Sequence, residues 1–320
     1  MHDIPIIDIS PSRDSTKLTH QVEDACHKIG FMYIRGHGID SEIITTMRET
    51  VVRYFSQPLQ KKLNDRISRD NYRGYIPAGF FSPNSGKGTA DCYEGYKLHF
   101  EVSANDPICA ECDLYGPNKW PKKPSGFKKA VLNYWVACDG VSNRLLQIFA
   151  QILSIDCERF TQLFDKPLTN MTLLHYPLAE KGISGFGIHP HKDTDALTIL
   201  APDKTGGLMV QQRGENEWCE VDAPDDALVV NIGDMLELWS GGYFVSTPHK
   251  VVNRSGSERY SFPYFAVPRF DTVIDSLIES RPGFERQGIH VGDISREVWR
   301  TNWADSMPHN PNHDLGTLAD

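Results

Sequence analysis

In the first half of the chain the apolar positions recur at helical spacing, whereas after Pro177 they fall into short extended runs separated by turn residues. Leu18, Val22, Ala25, Cys26 and Ile29 share one face of a helix, and Gly30 stands where a C-terminal cap belongs. Ahead of it, Ile4-Pro5-Ile6-Ile7-Asp8-Ile9 reads as a short strand at a sheet edge, where the donor that proline lacks is not needed. Phe31 to Ile34 forms the next strand, closed by Gly36-His37-Gly38. Asp40 or Ser41 then caps a second helix bearing Ile44, Met47, Val51 and Phe55, with Pro58 as its limit. Tyr72 to Pro83, rich in Tyr, Phe, Gly and Pro, suits an ordered loop, and a third helix is predicted from about Phe127 to Phe149.

The extended runs are Leu197 to Leu200, Leu208 to Gln212, Trp218 to Val221, Ala227 to Ile232, Met235 to Trp239, Lys250 to Asn253 and Tyr260 to Val267. Short strands in this number, with turns between them, predict a mainly β fold with flanking helices, an antiparallel sandwich or barrel whose strand count fits a jelly-roll core. No internal repeat or flexible linker interrupts the pattern. Residues 1–165 are therefore expected to pack, as a helical and mixed region, on a core over 166–275, with a C-terminal helix and tail over 276–320. From Met307 onward the chain is rich in Pro, Asn, His and Asp and is expected to be loose.

A length of 320 residues and an apolar share of 40% supply a sizeable core. The formal charge of −9, from 42 acidic and 33 basic residues, repels a phosphate backbone. The densest basic stretch, Lys119, Lys122, Lys123, Lys128 and Lys129, reads as a solvated face, so nucleic acid is not an expected partner, and no obligate protein partner is evident. No window reaches the roughly 18 apolar residues of a membrane span, and MHDIPIIDIS carries acids where a secretory signal carries positive charge. Seven scattered cysteines suit free thiols in a reducing compartment, which predicts a cytoplasmic protein. Cys109 and Cys112 form a CxxC pair with no second ligand pair nearby and read as ordinary thiols.

The most informative segment is His189-Pro190-His191-Lys192-Asp193-Thr194-Asp195-Ala196-Leu197. In an extended chain, side chains two apart point the same way, so His191 and Asp193 can present an imidazole and a carboxylate to one ion. His249, in Ser246-Thr247-Pro248-His249-Lys250, supplies a third ligand at the start of a later strand. Two histidines and a carboxylate on a β scaffold leave positions open for substrate and dioxygen, the arrangement associated with non-haem iron(II). Zinc is the chemical rival. His189 shares a face with His191 but reads as a neighbour of the site, while Asp195 either orients a ligand from behind or faces solvent.

Ten residues after His249, Arg259 and Ser261 share one strand face in Arg259-Tyr260-Ser261-Phe262-Pro263. A guanidinium fork with a hydroxyl beside it suits a planar carboxylate. A surface arginine on an edge strand is the simpler explanation in isolation. The apolar neighbours Phe262, Tyr264 and Phe265 argue instead for a buried strand, where an arginine demands an anionic partner.

With these residues in view, the sequence resembles the isopenicillin N synthase-like branch of the 2-oxoglutarate- and iron(II)-dependent dioxygenases. IPIIDIS and GFMYIRGHGI look like that family's N-terminal region, and HKDTDALTIL, NIGDMLELWSGG, STPHKVVN and RYSFPYF look like its catalytic core. The resemblance implies a double-stranded β-helix with His191, Asp193 and His249 on iron, and Arg259 and Ser261 on the distal carboxylate of 2-oxoglutarate. Tyr176 matches a family tyrosine that also contacts this carboxylate; two residues before it stands Leu174, where plant members often have Asn. It implies oxidative decarboxylation of 2-oxoglutarate with dioxygen to succinate and carbon dioxide, coupled to hydrogen abstraction from a small organic metabolite, with a role in secondary metabolism. Phe80, Phe81, Tyr96, His99, Phe186 and Phe265 are the candidates for lining the substrate mouth. Three other readings use the same residues: an iron oxidase that dispenses with 2-oxoglutarate, a zinc hydrolase, and a binding protein with a vestigial site.

Overall fold

The computed structural model describes residues 3–11, 15–80, 91–178, 186–252 and 256–301. Its strands are β1 (Ile6–Asp8), β2 (Phe31–Arg35), β3 (Gly74–Ile76), β4 (Glu94–His99), β5 (Asn170–Tyr176), β6 (Phe186–His191), β7 (Leu197–Leu200) and β8 (Leu208–Val210). They continue with β9 (Cys219–Glu220), β10 (Leu228–Ile232), β11 (His249–Val252), β12 (Arg259–Ser261), β13 (Tyr264–Ala266), β14 (Val273–Ile274) and β15 (Ile289–His290). The helices are α1 (Ser15–Lys28), α2 (Ser41–Phe55), α3 (Leu59–Lys62), α4 (Ile108–Glu111), α5 (Phe127–Ile152), α6 (Cys157–Gln162), α7 (Asp234–Trp239) and α8 (Val291–Thr301).

A major sheet runs in the order β1-β2-β10-β7-β13-β5-β4-β3, with β12 also paired to β5, and a minor sheet runs β6-β11-β8-β9. Side chains from both enclose one apolar interior: Phe31, Leu174, Tyr176 and Val229 from the major sheet meet Val210 and Val251 from the minor one. This is the jelly roll that the strand pattern predicts. The other face of the major sheet is covered by helices, where Val22, Met47, Val51, Leu145 and Phe149 pack on Leu173, Ile199 and Val230. Full burial of each such side chain contributes roughly 1.5–3 kcal/mol, so the helical layer fixes the sheet against which the interior is built.

Strand alternation sorts the side chains between these two environments. On β4, Tyr96 and Leu98 join the helical layer, while Lys97 and His99 face the interior. On β5, Met171 and Leu173 join the helices, whereas Asn170, Thr172 and Leu174 face inward.

The structure departs from the sequence pattern in four places. Met235 to Trp239, expected as a strand, is helix α7, and all of its residues are buried. The run Tyr260 to Val267 is two strands, broken at Phe262-Pro263 because proline has no N–H for the ladder. The stretch expected as loop contains β3, which pairs with β4. The first half also gives β1 to β4 to the major sheet, so it is less a helical buttress than part of the same hydrogen-bonded layer. Asp40, not Ser41, caps α2, its Oδ1 accepting from the N–H of Glu42 at 2.9 Å. All seven cysteines are free thiols, and among the described residues no helix is long and apolar enough to cross a membrane.

Candidate active site

Antiparallel pairing of β6 with β11 sets His191 directly opposite His249. Their rings lie 4.3 Å apart. Asp193, just past the end of β6, brings Oδ1 to 3.7 Å from Nε2 of His191 and 3.5 Å from Nε2 of His249. One ligand atom from each residue lies within 4.8 Å of the others, and among the described residues this is the one His, Cys and acid cluster able to hold a metal.

The outward atoms of all three side chains are already bonded. Nδ1 of His191 lies 2.7 Å from the carbonyl of His189, and Nδ1 of His249 lies 3.2 Å from that of Thr247. A carbonyl only accepts, so each Nδ1 carries the proton and each Nε2 keeps its lone pair for an ion. Oδ2 of Asp193 accepts from Nδ2 of Asn231 at 2.8 Å and from the Thr198 hydroxyl, leaving Oδ1 turned to the histidines. Burial opposes the charge on Asp193, but His249 and His191 in their protonated forms, with Thr198, outweigh it and hold the carboxyl well below the usual carboxylate range, and a bound ion would take the place of those protons.

Asp195 is buried and not solvent-facing; its Oδ2 lies 2.9 Å from Oγ1 of Thr198. Burial, with Asp193 and Asp234 nearby, pushes its pKa well up. The loop is strapped by the start of α7, where backbone N–H groups of Gly233, Asp234 and Met235 donate to the carbonyls of Ala196, Asp193 and Asp195. Gly233 is required by this close approach, since a Cβ there would overlap the backbone oxygen and Oδ1 of Asp195.

Arg259 is paired in register with Tyr176, and Ser261 with Leu174. Both Arg259 and Ser261 are buried. Nε of Arg259 donates to the Gly206 carbonyl at 3.0 Å, and the guanidinium lies 4.9 Å from the centre of the Tyr176 ring. Among the described residues, Nη1 is buried with no hydrogen-bond partner. A guanidinium nitrogen in this state fits an arriving carboxylate.

Beside the triad lies a cavity of about 340 Å³, lined in part by His191, Asp193, Lys97, His99, Phe265 and Trp299. Of the candidates for the substrate mouth, His99 and Phe265 therefore line it. Tyr96 does not, because alternation along β4 turns it to the helices, where it meets Tyr54 and Phe127. Phe186 packs on His189 instead, and Phe80 lies over Arg66 against the Ile67, Tyr72 and Ile76 cluster. Phe81 lies outside the described residues. Arg259, Ser261 and Tyr176 are outside the cavity lining, with Tyr176 two residues beyond the lining residue Leu174 along β5. His189 bonds Asp91 through both its N–H and Nδ1. Sequence reasoning missed Asn231, Thr198 and Lys97. A lone Asn in the otherwise apolar Leu228–Ile232 was the available signal for the first.

Two family models match the chain: the non-haem dioxygenase in morphine synthesis N-terminal model over residues 4–123, and the 2OG-Fe(II) oxygenase superfamily model over 168–268. A probable iron/ascorbate oxidoreductase of Dictyostelium discoideum is 31% identical, covering 84% of this chain and 82% of its own. A 2-oxoglutarate-dependent dioxygenase of Trichoderma harzianum is 30% identical, covering 82% and 83%. Among solved structures, a putative 2OG-Fe(II) oxygenase family protein from Caulobacter crescentus superimposes with a TM-score of 0.81 at 25% identity, over 94% of this chain and 99% of that one. A full-length Neurospora crassa protein, solved in complex with alpha-KG and thymine, has a TM-score of 0.80 at 23% identity, over 92% and 96%. These matches do not favour the zinc-hydrolase, binding-protein or co-substrate-free readings. With relatives at this identity matched over more than four-fifths of their length, and a jelly roll that brings two imidazoles and a carboxylate together, the chain belongs to the 2OG-Fe(II) oxygenase superfamily as a dioxygenase using iron(II), 2-oxoglutarate and dioxygen on small metabolites.

Proposed function

We propose that His191, Asp193 and His249 bind the iron(II), that Arg259, Ser261 and Tyr176 receive the distal carboxylate of 2-oxoglutarate, and that a small organic metabolite is oxidised in the adjoining cavity. The observation that carries the reading is the convergence of two Nε2 atoms and Oδ1, each turned inward by a hydrogen bond on its far side. Two neutral imidazoles and one carboxylate suit a divalent ion and leave the rest of its surroundings open. The unpartnered Nη1 of Arg259 supports the co-substrate assignment.

Bound iron, with 2-oxoglutarate and dioxygen, supplies an oxidant able to remove hydrogen from carbon, with succinate and carbon dioxide released. The chain's own residues orient and enclose. Asn231 and Thr198 fix Asp193, while Ile188, Leu174 and Met235 exclude water from the cavity wall. Hydroxylation, desaturation and ring closure all begin from the same abstraction. A relative named homoarginine-6-hydroxylase in Arabidopsis thaliana, and neighbours solved with thymine or JA, support a metabolite of modest size, and the morphine-synthesis description of the N-terminal family model supports a place in secondary metabolism. The free thiols support a cytoplasmic setting.

Anaerobic titration of the protein with iron(II) and 2-oxoglutarate tests the site. The expected result is a visible charge-transfer absorption that Asp193→Ala lacks and, once dioxygen is admitted, succinate formation that falls to background in that variant. An undiminished band and turnover in Asp193→Ala would overturn the assignment.

A further inference from the structure

Lys97 reaches the cavity from β4, on the same strand face as His99. Its Nζ donates to Oδ1 of Asn170 at 2.7 Å and to Oγ1 of Thr172 at 2.9 Å, both on the inward face of β5. It also lies 5.4 Å from the centre of the Phe265 ring. Neutral oxygens and a ring hold an ammonium in place without neutralising it. Among the described residues no carboxylate lies within ion-pair distance of Lys97.

The other charged groups of the cavity have partners. Lys192 faces Glu237 at 3.5 Å, Asp91 bonds His189, and Asp195 bonds Thr198. Burial, with Arg73 and Lys97 nearby, lowers the pKa of His99 and keeps it neutral. Asp195 and Asp193 act on Lys97 only through space, neither within ion-pair distance, and the proposed iron would take up the charge of Asp193. Lys97 is thus a cation that no carboxylate of the described residues pairs directly, presented to a space where an arriving carboxylate can make that ion pair. Beside it, the rings of Tyr72 and His99 pack on Trp299 at 4.9 and 5.1 Å, forming a wall suited to an apolar body.

We propose that Lys97, held by Asn170 and Thr172, is the specificity residue that binds a carboxylate on the primary substrate, so the compound oxidised is a small organic acid with an apolar body. The inference rests on the iron and 2-oxoglutarate site proposed above, because it takes the adjoining cavity as the substrate's.

The test uses two acids and their uncharged counterparts, phenylacetate with phenylacetamide and hexanoate with hexanamide. Binding to the anaerobic protein loaded with iron(II) and 2-oxoglutarate is followed by saturation-transfer NMR. The acids are expected to bind roughly tenfold or more tightly than the amides, as a charge-assisted hydrogen bond implies. Lys97→Met should abolish the preference and Lys97→Arg should retain it. Equal binding of acids and amides, no binding by either acid, or an acid preference that survives in Lys97→Met would overturn the proposal. The 2-oxoglutarate absorption is recorded in the same samples. Its loss in Lys97→Met alone would reassign Lys97 to the co-substrate and overturn this inference, whereas its absence from the unaltered protein would overturn the underlying site.

Discussion

At Arg259 one nitrogen is satisfied by the Gly206 carbonyl while Nη1 is buried without a hydrogen-bond partner among the described residues. Charge-assisted hydrogen bonds are worth about 1.5–3 kcal/mol, so Arg259→Ala is expected to weaken 2-oxoglutarate binding by roughly 10–100-fold. Iron affinity should change little. Titrating 2-oxoglutarate against the iron-loaded variant checks both, and an unchanged affinity would count against the anchor. The triad and this arginine were legible in the sequence because their chemistry is rare and their spacing simple: an imidazole and a carboxylate two apart, and an arginine two from a serine. Lys97 and Tyr96 were not, since choosing between adjacent residues requires knowing that the segment is a strand and which side faces inward.

Helix α7 is the element that sets the geometry of Asp193. Its first N–H groups bind the carbonyls of the metal-side loop, and Gly233 leaves Asp195 room to approach. Gly233→Ala is expected to push that loop away, lowering stability by about 1–3 kcal/mol and iron affinity by roughly tenfold. Urea unfolding and iron titration would show it; wild-type values in both would mean that the loop tolerates the methyl group. The sequence read this element as a strand for a physical reason. Every residue of Asp234–Trp239 is buried, so no polar face reveals a helical period. Strand β4 escaped notice for the opposite reason: its inward positions are Gly95, Lys97 and His99, polar or without a side chain, and blur the apolar alternation of a core strand.

Across the whole molecule, a buried polar cluster joins the helical layer to the major sheet. Glu94 accepts from Lys62 of α3 at 2.6 Å, lies 2.8 Å from Nδ1 of His175 on β5, and accepts from the Tyr75 hydroxyl on β3. Burial alone would raise its pKa, but the hydrogen bonds from His175, Lys62 and Tyr75 outweigh burial and lower it below the ordinary 4.5. A carboxylate depressed in the folded state contributes stability in full above its unfolded pKa and loses it as pH falls through the folded one. Glu94→Gln, which strands the Lys62 ammonium, is therefore expected to destabilise the protein by about 3–5 kcal/mol at pH 7. The gap from wild type should narrow below about pH 4.5, the ordinary carboxylate value. Urea unfolding at several pH values checks this, and a gap that widens in acid would contradict the sign.

On β4 the residues that hold the scaffold and the residues that line the cavity are interleaved, with Glu94, Tyr96 and Leu98 turned one way and Lys97 and His99 the other. Mutational drift at the odd-numbered positions can retune which compounds are accepted while the even-numbered ones go on holding the scaffold, so the strand gives descendants of this gene a route to new chemistry that does not pass through an unfolded protein.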